Sequence, residues 1–217
     1  MSIEMTFLAA ALGGYILGSI PFGLVLTRLA GLGDIRKIGS GNIGATNVLR
    51  TGRKDLAVLT VLLDASKAGI AAFAAYKLVS PQPYIFWGFF TETNIMAELI
   101  AGTCGVLGHN FPVWLKFKGG KGVASTFGFL LATNWQLALL ALLTWLVMAF
   151  IFRYSSLSAI TAAALVPLYA FFMATPVYCI FYTGIAVLVL VRHHANIHRL
   201  LKGEESKISF KKKEKAQ

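Results

Sequence analysis

Twelve consecutive residues, GSGNIGATNVLR at positions 39–50, concentrate small and hydrogen-bonding side chains in a chain that is otherwise mostly hydrocarbon. Gly39, Gly41 and Gly44 let backbone N–H groups converge, and Ser40, Asn42, Thr46 and Asn47 add polar side chains. Arg50 ends the run with a guanidinium fork suited to phosphate or carboxylate. That chemistry is anion binding, although an ordinary loop between two membrane helices has the same composition. The three glycines also spell G-x-G-x-x-G. A dinucleotide fingerprint, however, needs a strand before it and a helix after it, and a long apolar run precedes it here.

Two further segments carry comparable chemistry. GHNFPVWLKFKGGKGVAS, at 108–125, places Lys121 among glycines at the start of an apolar run, where backbone can close on a ligand and a helix N-terminus favours anions. It is not a Walker A loop, because Leu115 stands where that motif needs glycine and Gly122 where it needs Ser or Thr. Trp114 and Phe117 suit an interfacial aromatic belt, and Lys116 and Lys118 suit contact with anionic lipid. RHHANIHRLLKGEE, at 192–205, puts His193 and Asn196 on one helical face at i and i+3. His194 and His198 have the i, i+4 spacing of metal ligands, but no neighbouring carboxylate or cysteine completes such a site, and a solvated juxtamembrane helix is the plainer alternative.

The elements that must position these segments are membrane helices. The 217 residues are 57% hydrophobic, with mean hydropathy +0.70, above the ~45–50% apolar usage of soluble domains. The net charge of +11 does not imply nucleic acid, because the basic residues sit between apolar runs rather than along one face of a soluble domain. Cys104 and Cys179 lie inside apolar segments with no metal or disulfide spacing. The N-terminus lacks the basic start of a signal peptide, so the first apolar run is expected to stay as a spanning helix. Spans are expected at about 5–29, bent near Gly18, Pro21 and Gly23, and at 56–79, 95–107, 122–133, 135–152, 157–174 and 177–191, with an aromatic interfacial stretch at 84–90. This predicts an all-α polytopic bundle of seven helices, the third and fourth short, since a bilayer core of ~30 Å needs roughly 20 apolar residues per helix. Residues 1–201 are expected to form the membrane domain and 202–217 a basic cytoplasmic tail, of which SKISFKKKEKAQ, at 206–217, is expected to be disordered and drawn to anionic lipid.

Charge placement tests the count. With the N-terminus outside, seven crossings assign 18 of the 20 Lys and Arg residues to the cytoplasm, leaving only Lys67 and Lys77. Treating the short runs as re-entrant leaves five helices and the same sidedness. All three polar segments then face one side. Asp64 and Lys67, at i and i+3 within a span, are expected to pair with each other and hold their helix in the bundle.

Together the three segments resemble the PlsY family of bacterial glycerol-3-phosphate acyltransferases, over essentially the whole chain. The resemblance implies a seven-helix enzyme of the bacterial cytoplasmic (inner) membrane with its active site facing the cytoplasm. It would transfer an acyl group from acyl phosphate to the 1-hydroxyl of sn-glycerol 3-phosphate, forming lysophosphatidic acid and phosphate in phospholipid synthesis. It implies functional positions at Ser40, Arg50, Lys121, His193 and Asn196. Substrate-binding positions follow at Gly41, Asn42, Gly44, Thr46, Asn47, His109, Gly119, Gly120 and Glu204. Membrane lipid is the expected surroundings, and nothing requires a metal, an organic cofactor or nucleic acid. The oligomeric state is not specified, and a monomer is compatible with the site. Glycine breaks at membrane depth also describe a transporter or flippase for a small phosphorylated anion. Against that stand the gathering of the polar segments on one face and the lack of an internal repeat. A binding subunit without turnover is the remaining alternative.

Overall fold

The computed structural model describes residues 2–208. The first apolar run starts as α1 (Ile3–Gly18), capped where the Ser2 hydroxyl accepts from the Met5 backbone N–H. Pro21 lacks a backbone N–H and breaks the helix, which resumes as α2 (Phe22–Leu29). A polar connection follows, containing a 3₁₀ turn at Ile35–Lys37, the single-turn helix α3 (Ala45–Val48) and a second 3₁₀ turn at Leu49–Thr51. Next come α4 (Lys54–Leu78), a β1–β2 hairpin (Pro83–Phe86 and Phe89–Glu92), α5 (Thr93–Asn110), α6 (Val123–Thr133), α7 (Trp135–Phe152), α8 (Ser155–Met173), α9 (Pro176–Arg192) and α10 (His194–Leu201).

Two expectations need correction. The stretch at 84–90 is not a single interfacial segment but an antiparallel hairpin. Its two-residue turn puts Trp87 and Gly88 at φ 49° and 82°, a geometry that matches strand twist. The third helix is not short either. α5 runs for 18 residues because Thr93, Asn94, Glu98, His109 and Asn110 are buried inside the bundle. α6, at 11 residues, is short as expected. Among the described residues four helical segments are long and apolar enough to cross a membrane (the bent Ile3–Leu29, α4, α7 and α8), or five if α9 and α10, bent by 56°, count as one.

With little hydrophobic force between helices in lipid, close backbone approach holds the inner bundle together. A Cβ at Gly14 or Gly18 on α1 would come within 2.1 or 2.0 Å of the Ala101 or Gly105 carbonyl oxygen on α5. On α6, a Cβ at Gly128 would come within 1.9 Å of the Ala65 carbonyl oxygen on α4. Above this tight seam the ionisable pair of α4 is closed off from solvent. Lys67 Nζ lies 3.1 Å from Asp64 Oδ1 and donates to the Ile20 carbonyl at 2.9 Å, at the α1–α2 break. The expected pairing holds, and His109 Nδ1 joins it, 3.6 Å from the same carboxylate oxygen.

Candidate active site

The first polar loop is organised by Asn47, which is 1% exposed. Its amide donates to the Ile35 and Ile38 carbonyls, and its Oδ1 accepts from the Ser40 backbone N–H at 3.2 Å and from Arg50 Nη1 at 3.0 Å. Gly39, at φ 54°, is required here: a Cβ would fall 2.5 Å from Asn47 Oδ1 and 2.6 Å from Arg50. Asn42 Oδ1 accepts from the Gly44 N–H at 3.1 Å, a side-chain turn that shapes the loop. Ser40, Gly41, Thr46 and Arg50 are left exposed along it.

The second loop is folded over a histidine. Gly119 and Gly120 N–H groups donate to the Asn110 and His109 carbonyls, and a Cβ at Gly120 would lie 2.0 Å from His109 Nε2. His109, only 4% exposed, is thus the floor beneath Lys121. On the outer side Arg192 grips the loop, donating to the Gly119 carbonyl at 3.2 Å and to the Gly120 carbonyl at 3.0 Å while its guanidinium lies 5.0 Å from the Phe111 ring centre.

The third segment bends at His193. The His193 Nδ1 lies 2.7 Å from the Val189 carbonyl, which can only accept, so Nδ1 carries the proton and Nε2 keeps its lone pair. Burial, opposed by that carbonyl contact and reinforced by Lys121, pulls its pKa down to about 4, so the ring is neutral at pH 7. Lys121 Nζ donates to Asn196 Oδ1. Asn196 Nδ2 in turn donates to Glu205 Oε1 at 2.7 Å, which also accepts from Ser156 Oγ at 2.7 Å. Arg199 Nε donates to Glu205 Oε2 at 2.7 Å. Burial raises the Glu205 pKa, but these three hydrogen bonds outweigh it and hold the carboxyl below its ordinary value. Burial is also the main reason the Lys121 pKa falls to about 8. Glu205 opposes the fall, while Arg199, Arg192 and Arg50 add to it. Residues 206 and 208 close the ring. Ser206 Oγ accepts from Arg50 Nη2 at 3.3 Å, and Ile208 N–H donates to the Arg153 carbonyl at 2.6 Å.

The three loops therefore share one hydrogen-bonded, strongly cationic site. The family model for glycerol-3-phosphate acyltransferase matches residues 8–203. The chain belongs to the glycerol-3-phosphate acyltransferase family. Within that family, the glycerol-3-phosphate acyltransferase of Rhodospirillum rubrum is 60% identical over 94% of this chain and 91% of its own. That of Paramagnetospirillum magneticum is 56% identical over 96% and 97%. The crystal structure of PlsY, an integral membrane glycerol 3-phosphate acyltransferase, in its glycerol 3-phosphate form superposes with a TM-score of 0.82 at 38% identity, covering 94% of this chain and 96% of that one. Its lysophosphatidic acid form superposes with a TM-score of 0.80 at 37% identity. This chain is accordingly a multi-pass membrane acyltransferase of the same fold.

In this acyltransferase Arg50, Asn47, Lys121 and Asn196 come together with Gly119, Gly120 and His193. Ser40, Gly41, Asn42, Gly44 and Thr46 line the first loop beside them. Glu204 is exposed, and the neighbouring Glu205 is the carboxylate turned into the cluster. Gly203, at φ 72°, reverses the chain after α10, so of two adjacent acids only the second faces inward. Arg192, Arg199 and Ser156 also join the site without belonging to the expected set; the position of Arg192, next to His193 at a helix end, is the signal in the sequence that points to it. Within the stretch 206–217 expected to be disordered, Ser206 and Ile208 are hydrogen-bonded to Arg50 and to the Arg153 carbonyl; residues 209–217 lie outside the described residues. Among the described residues no three His, Cys, Asp or Glu side chains group to hold a metal ion.

Proposed function

We propose that this site transfers a fatty acyl group from acyl phosphate to the 1-hydroxyl of sn-glycerol 3-phosphate, giving lysophosphatidic acid and inorganic phosphate. One observation carries the reading: Arg50, Arg192 and Arg199 gather around Lys121, and Lys121 and Arg192 stand beside a neutral histidine whose Nε2 keeps its lone pair. Two phosphates must be held near each other, and Lys121 with these three arginines offsets their repulsion. The named activity of the relatives and the glycerol 3-phosphate and lysophosphatidic acid forms of PlsY support the same substrates.

In the reaction the hydroxyl oxygen bonds to the acyl carbonyl carbon, and the bond from that carbon to the phosphate oxygen breaks. The electron pair leaves on phosphate, where Lys121 and Arg50 stabilise it. His193, at a pKa of about 4, is a weak base at neutral pH. Its Nε2 orients the attacking hydroxyl, and the proton ends on the departing phosphate. Acyl phosphate is already activated, so positioning and charge neutralisation supply the catalysis without a covalent intermediate. Among the described residues Ser40 Oγ has no acid–base partner of a nucleophilic triad, and it serves as a binding group. Gly41, Asn42, Gly44, Thr46, Asn47, Gly119 and Gly120 shape the phosphate-binding backbone.

We read seven crossings: α1 with its broken continuation α2, then α4, α5, α6, α7, α8 and α9. The N-terminus lies outside and the site faces the bacterial cytoplasm, supported by the placement of the basic residues.

The test is purified protein in detergent with acyl phosphate and glycerol 3-phosphate. Lysophosphatidic acid should form in a system with no compartments; none would overturn the assignment. His193→Ala should lower kcat only about tenfold, whereas a loss of ~10²–10⁴ would make His193 the general base and contradict the proton route.

A further inference from the structure

A second cationic cavity lies away from the cluster described above. It is an open crevice of about 470 Å³ lined by Arg28, Arg36, Trp114, Leu115, Lys116 and Lys118. None of the residues assigned to acyl transfer lines it. Arg28 sits in the last turn of the bent span Ile3–Leu29, so the crevice lies at the level where that span leaves the hydrocarbon. Four cations there face one carboxylate, Asp34, which is already engaged: Arg28 Nη2 donates to it at 3.2 Å and Arg36 Nε at 2.9 Å. Those hydrogen bonds, Arg36 first, hold the Asp34 carboxyl well below the usual range. Among the described residues no carboxylate pairs with Lys116 or Lys118, so the crevice keeps a surplus of positive charge.

The wall bearing those lysines is built rather than loose. Lys116 and Phe117 adopt φ 52° and 62°, a left-handed pair that is costly for side chains with Cβ, and three backbone hydrogen bonds at 3.0 Å from Lys116, Phe117 and Lys118 N–H hold it in place. Trp114 Nε1 pins the wall by donating to Ser19 Oγ at 2.7 Å. Trp114 and Phe117 are nonetheless 59% and 58% exposed, and Leu29 beside Arg28 is 82% exposed. Aromatic and aliphatic surface alternating with lysine and arginine at the end of a span is the surface chemistry that meets a bilayer headgroup region.

We propose that this crevice is a second phosphate site, separate from the catalytic one, that takes the phosphate of an anionic lipid headgroup. The apolar rim favours a phosphate carried on a lipid over one free in solution.

The test reads Lys116 and Lys118 directly. Full-length protein in neutral detergent is acetylated with a lysine-reactive ester, and modification is mapped residue by residue. The added probe is dihexanoyl phosphatidic acid, dihexanoyl phosphatidylcholine or inorganic phosphate. Phosphatidic acid should slow modification of Lys116 and Lys118 and leave the distant Lys77 unchanged, and phosphatidylcholine should not. Arg28→Gln and Arg36→Gln should each weaken that protection by about fivefold, the value of one cation near an anionic surface, with unchanged melting temperature. Protection by inorganic phosphate at equal concentration keeps the phosphate site but assigns it to a free anion. Equal protection by phosphatidylcholine, no protection at all, or protection indifferent to both variants overturns the proposal.

Discussion

Replacing Gly120 with alanine tests how tightly the loop under Lys121 is set. A Cβ there would stand 2.0 Å from His109 Nε2, short of an ordinary 3.4 Å contact by about 1.4 Å. His109 is 4% exposed and lies against Asp64, so it cannot swing away; the loop must lift instead. Lifting strains two grips, the Gly120 N–H to the His109 carbonyl at 3.0 Å and the Arg192 guanidinium to the Gly120 carbonyl at 3.0 Å. Overpacking of this kind costs typically 1–3 kcal/mol, so the melting temperature should fall. Lys121 is the next residue, and a misplacement of about 1 Å can cost on the order of 10²-fold in rate. The assay is kcat/KM for both substrates beside a thermal melt. Gly13→Ala is the control, since a Cβ at Gly13 meets nothing within 4 Å. If Gly120→Ala keeps wild-type kcat/KM and melting temperature, the packing of the loop on His109 does not position Lys121 and the reasoning fails.

Lys121 should also set an alkaline limb. With its pKa lowered to about 8 from 10.5, kcat/KM should decline above pH 8 as the cation is lost, and Lys121→Arg should remove that limb. Stability should move the other way over that window: between about 8 and 10.5 the unfolded chain binds the extra proton, so this group adds stability as pH rises. Glu205→Gln removes the one charge that supports the Lys121 proton, so the alkaline limb in a kcat/KM profile should shift to lower pH; a shift upward would contradict the arrangement. Asp64→Ala should destabilise by roughly 3–5 kcal/mol because Lys67 loses its buried partner, and adding Lys67→Met should recover much of the loss in a thermal melt.

Much of the site was legible in the sequence because its chemistry is local. Gly39 and Asn47 lie eight positions apart and meet within one loop, and Gly119 to Lys121 form one turn, so residue type and short spacing carry the information. The pairing of Asp64 with Lys67 follows from i, i+3 spacing on a helix. What was not legible depends on tertiary reach. His109 joins Asp64 from another helix, Glu205 turns into the cluster after the left-handed Gly203, and Arg192 finds the Gly119 and Gly120 carbonyls 73 and 72 positions away. The third helix read as short because Glu98 and His109 depress its hydropathy, yet both are buried against neighbouring helices. The Trp87–Gly88 turn carries no Asn-Gly or Asp-Gly signal, which hid the hairpin.

Sided cysteine labelling tests whether the three distant loops form one site on one side of the membrane: with Cys104 and Cys179 replaced by alanine, Ser40→Cys, Lys121→Cys and Asn196→Cys are introduced singly and exposed to an impermeant maleimide in right-side-out and inverted vesicles. All three should label only in inverted vesicles. Labelling of any one of them only from the opposite face would contradict a shared pocket.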